Sequence, residues 1–477
     1  MDILRLDKID SLHGEVNLVG SKSLTNRALL LSALASGTTK LSNILRSADS
    51  AVMLQALREL GVAVVEDPQD PTVVTISGLG GVFAVAERTS ADKPLQLFLG
   101  NAGTAMRPLT AALALSAGFF ELTGEPRMYE RPIGDLIEPL EHLGAKITYL
   151  GQEGYPPLLI QGAANVAGGA NAAGANVAGA AHAAGAANAA GTAAAPAIAG
   201  AQEALTVAVA GNTSSQYISA LLMVGALLGR TFVLQVKGEL ISKPYVTLTC
   251  ELLKRFGVTV VNDNFKAFTI APQKLTSPGD FLVEGDASGA TYFLAGAAIA
   301  GDITVRGVGA NSIQGDAKFI EVLAQMGAQV EKGPDYLRVQ QAPVLHGLEI
   351  DMNDMPDAAM TLVPMALFTQ EPVVVRNIAS WRVKETDRIT ALATEMRKLG
   401  CLVTTGEDFI AVDGRTPEVK QLKQEKVVPQ FATYNDHRMA MSLSLTALDR
   451  TIDIADPQCC AKTFPTYFSV LADVTKR

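Results

Sequence analysis

The sequence predicts an α/β protein of two domains, each assembled from three repeats of a helix, a glycine and a strand around helices buried on every side. Three observations predict it. The segments LRELGVAV, LEHLGAKI, LKRFGVTV, LAQMGAQV and MRKLGCLV turn at Gly61, Gly144, Gly257, Gly327 and Gly400. Each reads as the end of an amphipathic helix, a left-handed glycine just past it, and a β-branched strand. Gly257, Gly327 and Gly400 recur roughly every seventy residues, the period of a supersecondary unit. A chain of 477 residues also exceeds what one hydrophobic core usually organises.

Upstream of each glycine lies a stretch apolar all round: Asn26 to Ala35, Met106 to Ala117, Tyr217 to Leu228, Thr291 to Ile299 and Ala358 to Phe368, with a sixth at Met439 to Leu448. A helix without a polar face must be buried, so these are the expected inner helices, with sheets and amphipathic helices outside. Small polar or acidic residues stand at their starts: Ser23 and Thr25, Asn101 and Thr104, Ser214, Asp286 and Ser288, Asp357, and Asp436. One alone reads as an N-cap. Six suggest more, because helix starts carry unpaired N–H groups and partial positive charge, and several aimed at one cleft form an anion site.

Residues 163–203 differ in kind. They are almost wholly Ala, Gly and Asn, with too few large apolar side chains to offset the ordering of the backbone, and are expected to be a mobile loop inserted in the second domain. Lengthening a loop about fourfold adds only roughly 1.2 kcal/mol of closure entropy.

Composition narrows the function. Hydrophobic residues make up 48% and charged residues 18%, which suits a globular protein. The net charge of −9 disfavours nucleic acid and polybasic membrane binding, so an anionic ligand must be met by a local basic cluster. No apolar stretch reaches the roughly 18 residues of a membrane span, and the N-terminus MDILRLDKID lacks the apolar centre of a secretory signal, so a cytoplasmic location is expected. Cys250, Cys401, Cys459 and Cys460 show no CxxC spacing and the histidines no paired spacing, so reduced structural thiols and no metal are expected.

Three basic segments are candidates for that cluster: Gly20 to Arg27 (GSKSLTNR), GEPRMYERPIG from Gly124, and WRVKETDR from Trp381, the last reading on its own as a solvated charged helix start. In the last, Arg382, Lys384 and Arg388 alternate with Glu385 and Asp387, so cations that hold phosphate or carboxylate stand beside a carboxylate that moves protons. LGNAGTAMRP, from Leu99, brings Gly100 and Gly103 to a helix start but lacks the pattern of a nucleotide P-loop.

GSKSLTNRALLL, LFLGNAGTAMRP, TGEPRMYERPIGDL, SSQYISALLM, ISKPY, VEGDAS, PDAAMT, WRVKETDR, YNDHRMAM and AKTFP together resemble, in order and spacing, the 5-enolpyruvylshikimate-3-phosphate synthase family. The resemblance runs from about Leu12 to about Val474 and lapses only across the Ala/Gly/Asn-rich insertion. It implies an inside-out α/β barrel in two domains, each of three βαβαββ units with buried parallel helices. The domains would be 1–20 plus 285–477, and 21–284, with the chain crossing near Gly20–Ser21 and Glu284–Gly285. It also implies a monomer without cofactor that joins shikimate 3-phosphate and phosphoenolpyruvate in the cleft and is inhibited by glyphosate.

Residue by residue, the resemblance implies Lys22, Ser23, Arg27, Ser214, Ser215, Gln216, Ser242, Tyr245, Asp357, Ser380 and Lys384 on the shikimate 3-phosphate side. Lys22, Asn101, Gly103, Thr104, Arg131, Gln216, Glu385, Arg388, His437, Arg438 and Lys462 are implied for phosphoenolpyruvate. The family has Asn where this chain has the shorter Ser380. Asp357, Glu385, Lys22 and Lys384 are the implied catalytic groups, with Asp357 taking the 5-hydroxyl proton and Glu385 handling the C3 proton of phosphoenolpyruvate. Two rivals stand beside this reading: the sister transferase acting on UDP-N-acetylglucosamine, whose reactive-loop cysteine has no counterpart in GEPRMYERP, and a binding protein of the same fold without catalysis.

Overall fold

A computed structural model describes residues 2–165 and 203–476. The core of the insertion predicted over 163–203 lies outside them. Among the described residues the strands form six sheets, five of which repeat one topology. Two parallel strands flank an inner helix, and an outer helix then leads into a hairpin whose last strand returns to the second, giving the spatial order 1-2-4-3.

The first unit holds α1 (Lys22–Leu34) and α2 (Ala48–Glu59), the second α3 (Gly103–Ala114) and α4 (Gly134–His142), and the third α5 (Ser215–Gly225) and α6 (Lys243–Arg255). The fourth holds α7 (Ala287–Ala300) and α8 (Phe319–Gln325), and the fifth the short α9 (Leu362–Met365) and α10 (Arg388–Arg397). After α11 (Pro417–Gln424), the sixth carries α12 (His437–Ser444), with α13 (Tyr467–Val474) closing the chain. In the second unit, Leu95–Phe98 runs parallel to Phe119–Thr123, which pairs antiparallel with Leu158–Gln161.

Two units borrow their first strand from across the chain. Asp280–Leu282 lies parallel to Ser36–Ser42, completing the first unit, and Ser11–Asn17 lies parallel to Gly301–Arg306, completing the fourth. The buried apolar side chains accordingly form two clusters. One runs from Leu24 to Val283, and the other joins Ile9 to Leu18 with Ala287 to Val474.

The inner helices are as buried as their composition requires. In α1 every residue but Ser23 is buried, in α3 every residue but Thr104, in α5 every residue but Gln216, and in α12 every residue. The exceptions all sit in a first turn, where the helix meets the cleft. The five predicted glycines close their helices with φ of 88°, 99°, 81°, 104° and 84°, a conformation that Cβ-bearing residues seldom take.

Two expectations need correction. The stretch Ala358 to Phe368 is not one α-helix but a 3-10 turn, Ala358–Thr361, followed by α9. Pro364 lacks the N–H for the next helical bond and its ring crowds the preceding turn. The remaining inner helices begin up to four residues before the first apolar position, so the polar motif residues themselves form the first turns. No helix among the described residues is long and apolar enough to cross a membrane.

Gly78 lets its strand cross the end of α1, since a Cβ there would fall against the backbone carbonyl oxygens of Ser32 and Ala35. Backbone cannot yield as a side chain can. Gly78→Ala is expected to lose roughly 1–3 kcal/mol, read as a lower urea midpoint with an unchanged slope.

Candidate active site

Helix starts from both halves of the chain line one cavity. The first turns of α1, α3 and α5 bring Lys22, Ser23, Gly103, Thr104, Ser215 and Gln216, with Ser214 as the N-cap of α5. Ser242 and Tyr245 come from the start of α6, where Ser242 holds a left-handed φ of 54°. The other half contributes Asp357, Ser380, Lys384, Glu385, Arg388 and Arg438.

Positive charge in this cavity exceeds what nearby carboxylates balance. Arg27, Arg107 and Arg131 are buried, yet none has a carboxylate within 4.0 Å among the described residues. Arg27 donates to Thr249 Oγ1 (2.9 Å) and the Ser23 carbonyl (2.9 Å), and Arg107 to the Pro132 carbonyl (3.0 Å). Arg131 donates to the carbonyl and Oδ1 of Asn101, at 3.0 and 2.9 Å. Burial pushes both Arg27 and Arg107 down to about 10, and Arg131 adds to the effect on Arg107. Cations buried without counter-charge are costly, so the site is built to receive anions.

The opposite wall is a network of paired charges. Arg388, almost wholly buried, meets three carboxylates: Asp436 (2.8 Å), Glu385 (2.9 Å) and Asp357 (3.0 Å). Asp357 also takes Arg438 (3.0 Å), the Tyr245 hydroxyl (3.1 Å) and Lys384 (3.8 Å), while Glu385 faces Lys462 (3.7 Å). Burial pushes the Asp357 carboxyl up, but Arg438, Lys384 and Arg388 outweigh it and hold it well below the usual range. For Glu385 burial is likewise outweighed, here by Arg388, Lys462, Lys22 and Arg131. Burial draws the Lys384 ammonium down, towards its neutral form.

Of the residues the resemblance implies, three do not line this cavity, and Arg382 is turned away from it to Asp387 and the carbonyls of Gly406 and Glu407. Asn101 and Lys462 border an adjoining cavity and touch each other, Lys462 Nζ donating to the Asn101 carbonyl at 3.3 Å. His437 is fully buried with neither ring nitrogen hydrogen-bonded. Burial first, then Lys22 and Arg438, keep it neutral. Sequence reasoning missed Arg107, which lies inside the quoted LGNAGTAMRP, and Asp49, which pairs with Lys22 at 3.6 Å from the start of α2. Asp49 carried no signal beyond that of a helix-start acid.

Six units of sheet and buried helix, in two sets meeting at a cation-rich cavity, define a protein of the enolpyruvyl transferase fold. Solved structures share it. EPSP synthase from Acinetobacter baumannii superimposes with a TM-score of 0.72 at 23% identity, covering 99% of this chain and 98% of that one. The enolpyruvyl transferase NikO from Streptomyces tendae gives 0.70 at 16% identity, with the same coverage. The profile of the EPSP synthase (3-phosphoshikimate 1-carboxyvinyltransferase) family matches residues 6–189 and 180–471, and the chain belongs to that family. Similar relatives include the 3-phosphoshikimate 1-carboxyvinyltransferases of Shewanella amazonensis, 48% identical over the full length of both chains, and of Vibrio atlanticus, 46% identical over 99% of each.

Beside the main cavity, Asp286, Ser288, Gln314 and Asp316 line a smaller one together with Tyr245. Burial pushes the Asp316 carboxyl up to about 7, and the charge of Asp357 adds to it against the Ser288 hydroxyl bond. An unfolded aspartate titrates near 3.9, so folding takes up a proton between about pH 4 and 7 and stability falls as pH rises through that window. Asp316→Asn should remove this slope. Relative to the parent it is expected to be more stable by a few kcal/mol at pH 8 than at pH 4, read from urea midpoints across pH.

Proposed function

We infer that this chain transfers the enolpyruvyl group of phosphoenolpyruvate to the 5-hydroxyl of shikimate 3-phosphate and releases phosphate, the reaction for which its family is named. The observation that carries this to the chain's own residues is the set of buried arginines without carboxylate partners, Arg27, Arg107 and Arg131, at converging helix starts. Two substrates that each bring a phosphate and a carboxylate suit that excess. The UDP-sugar reaction is disfavoured because no cysteine precedes Cys250.

In this reading the two core clusters are two domains, 1–20 with 285–477 and 21–284, in a monomeric cytoplasmic enzyme. Ser214, Ser215 and Ser242 hold the phosphate of shikimate 3-phosphate. Ser23, Arg27, Gln216, Tyr245, Asp357, Ser380 and Lys384 surround the rest. Lys22, Arg131, Arg388, Arg438 and Lys462 receive phosphoenolpyruvate, with Gly103, Thr104 and Asn101 shaping the wall and His437 packed behind it.

The reaction adds the 5-hydroxyl oxygen to C2 of phosphoenolpyruvate while C3 gains a proton, giving a tetrahedral ketal. Loss of that proton and of phosphate completes the transfer. Asp357, kept ionised by its cations, takes the hydroxyl proton as the C–O bond forms. Glu385 serves C3. Its proton affinity is suppressed by Arg388, Lys462, Lys22 and Arg131, groups assigned to phosphoenolpyruvate. An anion that engages those cations releases their hold, so substrate binding raises the proton affinity of Glu385 when a donor to C3 is needed. Lys22 and Lys384 stabilise developing charge and supply a proton to the departing phosphate.

The direct test measures phosphate release from phosphoenolpyruvate with shikimate 3-phosphate, and in parallel with UDP-N-acetylglucosamine. Turnover is expected with the first acceptor only. Glu385→Gln, which keeps shape and removes the proton carrier, is expected to turn over roughly 100-fold or more slowly. Equal activity with the UDP-sugar would sink the assigned acceptor, and near-normal turnover of a folded Glu385→Gln would remove Glu385 from the chemistry.

Glyphosate is expected to inhibit competitively with phosphoenolpyruvate, and Gly103 to govern it. A Cβ at 103 would lie 2.5 Å from Arg107 Nη1 and 2.7 Å from Arg131 Nη2, so a methyl group there displaces the guanidinium of Arg131, assigned to phosphoenolpyruvate, and that of Arg107 beside it. Gly103→Ala should therefore weaken both ligands, and weaken the longer glyphosate more. Inhibition measured against phosphoenolpyruvate at saturating shikimate 3-phosphate checks this, and equal weakening of the two would refute it.

A further inference from the structure

One cross-cleft contact to the reactive segment comes from a residue outside the proposed substrate set. Arg127 sits in the 3-10 turn Pro126–Glu130, in the half built around the first core cluster. Its Nε donates to the backbone carbonyl of Glu385 (3.2 Å) and its Nη2 to that of Lys384 (3.0 Å), while Nη1 pairs with Glu130. All three guanidinium nitrogens are thus engaged. The gripped carbonyls lie in the link between the 3-10 turn Ala379–Val383 and α10.

Holding two successive carbonyls in one planar fork fixes the two peptide planes that flank the Glu385 Cα, and with them the direction in which the Glu385 side chain leaves the backbone and the set of the Lys384–Glu385 link. We propose that Arg127 is a positioning residue for the transfer: by gripping these carbonyls across the cleft it aims Lys384 and Glu385 at the substrates, an inference that rests on the reaction assigned above. Arg127 belongs to neither core, and its side chain keeps 30% of its exposure, so its removal leaves the packing of both halves in place. Lysine is a poor substitute because one ammonium lacks the rigid fork that spans two carbonyls.

The test compares Arg127→Ala and Arg127→Lys with the parent enzyme in kcat, in the dissociation constant of shikimate 3-phosphate without phosphoenolpyruvate, and in response to millimolar guanidinium. Arg127→Ala is expected to lose roughly 10–100-fold in kcat, the scale of a catalytic group misplaced by about an ångström. Binding of shikimate 3-phosphate alone should stay within about two-fold, because that ligand's proposed contacts lie mainly in the other segments. Arg127→Lys should fall between, and guanidinium should restore part of the activity of Arg127→Ala without affecting the parent. An Arg127→Ala enzyme with parental kcat, a loss confined to shikimate 3-phosphate binding, or no guanidinium rescue each overturns the role. A parent enzyme silent with this substrate pair would instead overturn the assigned reaction and the role with it.

Discussion

Helices that are apolar on every side leave the chain one place to put chemistry. Each of α1, α3, α5 and α12 is enclosed by sheet and neighbouring helix along its length, so only its ends meet water or ligand. Its first-turn N–H groups carry partial positive charge and lack intrahelical partners. Repeating the unit and closing both sets of repeats on one cavity turns that by-product of packing into a concentrated anion site. The side-chain caps that would quench it are partly missing: Ser21 and Ala102, the N-caps of α1 and α3, accept no side-chain bond, and the Asp357 carboxylate engages cations instead of its own helix.

The charges added to these helix starts fall into two classes with different consequences. Arg27, Arg107 and Arg131, with no carboxylate in contact among the described residues, carry an electrostatic demand that an anionic ligand satisfies. Arg388, Arg438 and Lys384 are already held by Asp357, Glu385 and Asp436. The first class favours binding. The second fixes the carboxylates in an ionised, oriented state and makes their proton affinity depend on what else competes for the cations. A buried network of this kind adds little stability compared with an apolar core, since desolvation offsets much of the attraction. Its retention fits a functional use, in which ligand anions alter the balance.

How much of this was legible in the sequence depended on the range of the interaction. The left-handed glycines at 61, 144, 257, 327 and 400 and the inner helices are local, and the sequence reading placed them, apart from the Pro364 break and helix starts set up to four residues late. The strand exchange, in which Asp280–Leu282 joins Ser36–Ser42 and Ser11–Asn17 joins Gly301–Arg306, links residues too distant for any local pattern to announce. At the site, the motif residues were readable because their types and order match a family. Arg107, Asp49 and Arg127 were not singled out, because a buried arginine, a helix-start acid and a turn arginine look alike in sequence whether they serve a site or a surface. Only the cross-chain distances separate them.

The two halves are joined covalently at two adjacent points, and the structure ties these together. Gly20 bridges Gly285, Ser21 N–H donates to the Glu284 carbonyl (2.8 Å), and Asp286 N–H donates to the Val19 carbonyl (2.8 Å). Gly20 is required there, since a Cβ would collide with the Asn43 carbonyl, and Gly285 packs in turn against Leu18 and Gly307. Side chains cannot thicken this junction. Away from it, Ile313 packs against the first core, and polar contacts cross the cleft, among them Tyr245 to Asp357, Lys462 to the Asn101 carbonyl, and Arg127 to the carbonyls of Lys384 and Glu385. Each of these three polar contacts involves a group placed at the site or directly behind it. These cleft bonds therefore serve twice, joining the halves and arranging the reactive groups, so a change in one bears on the other.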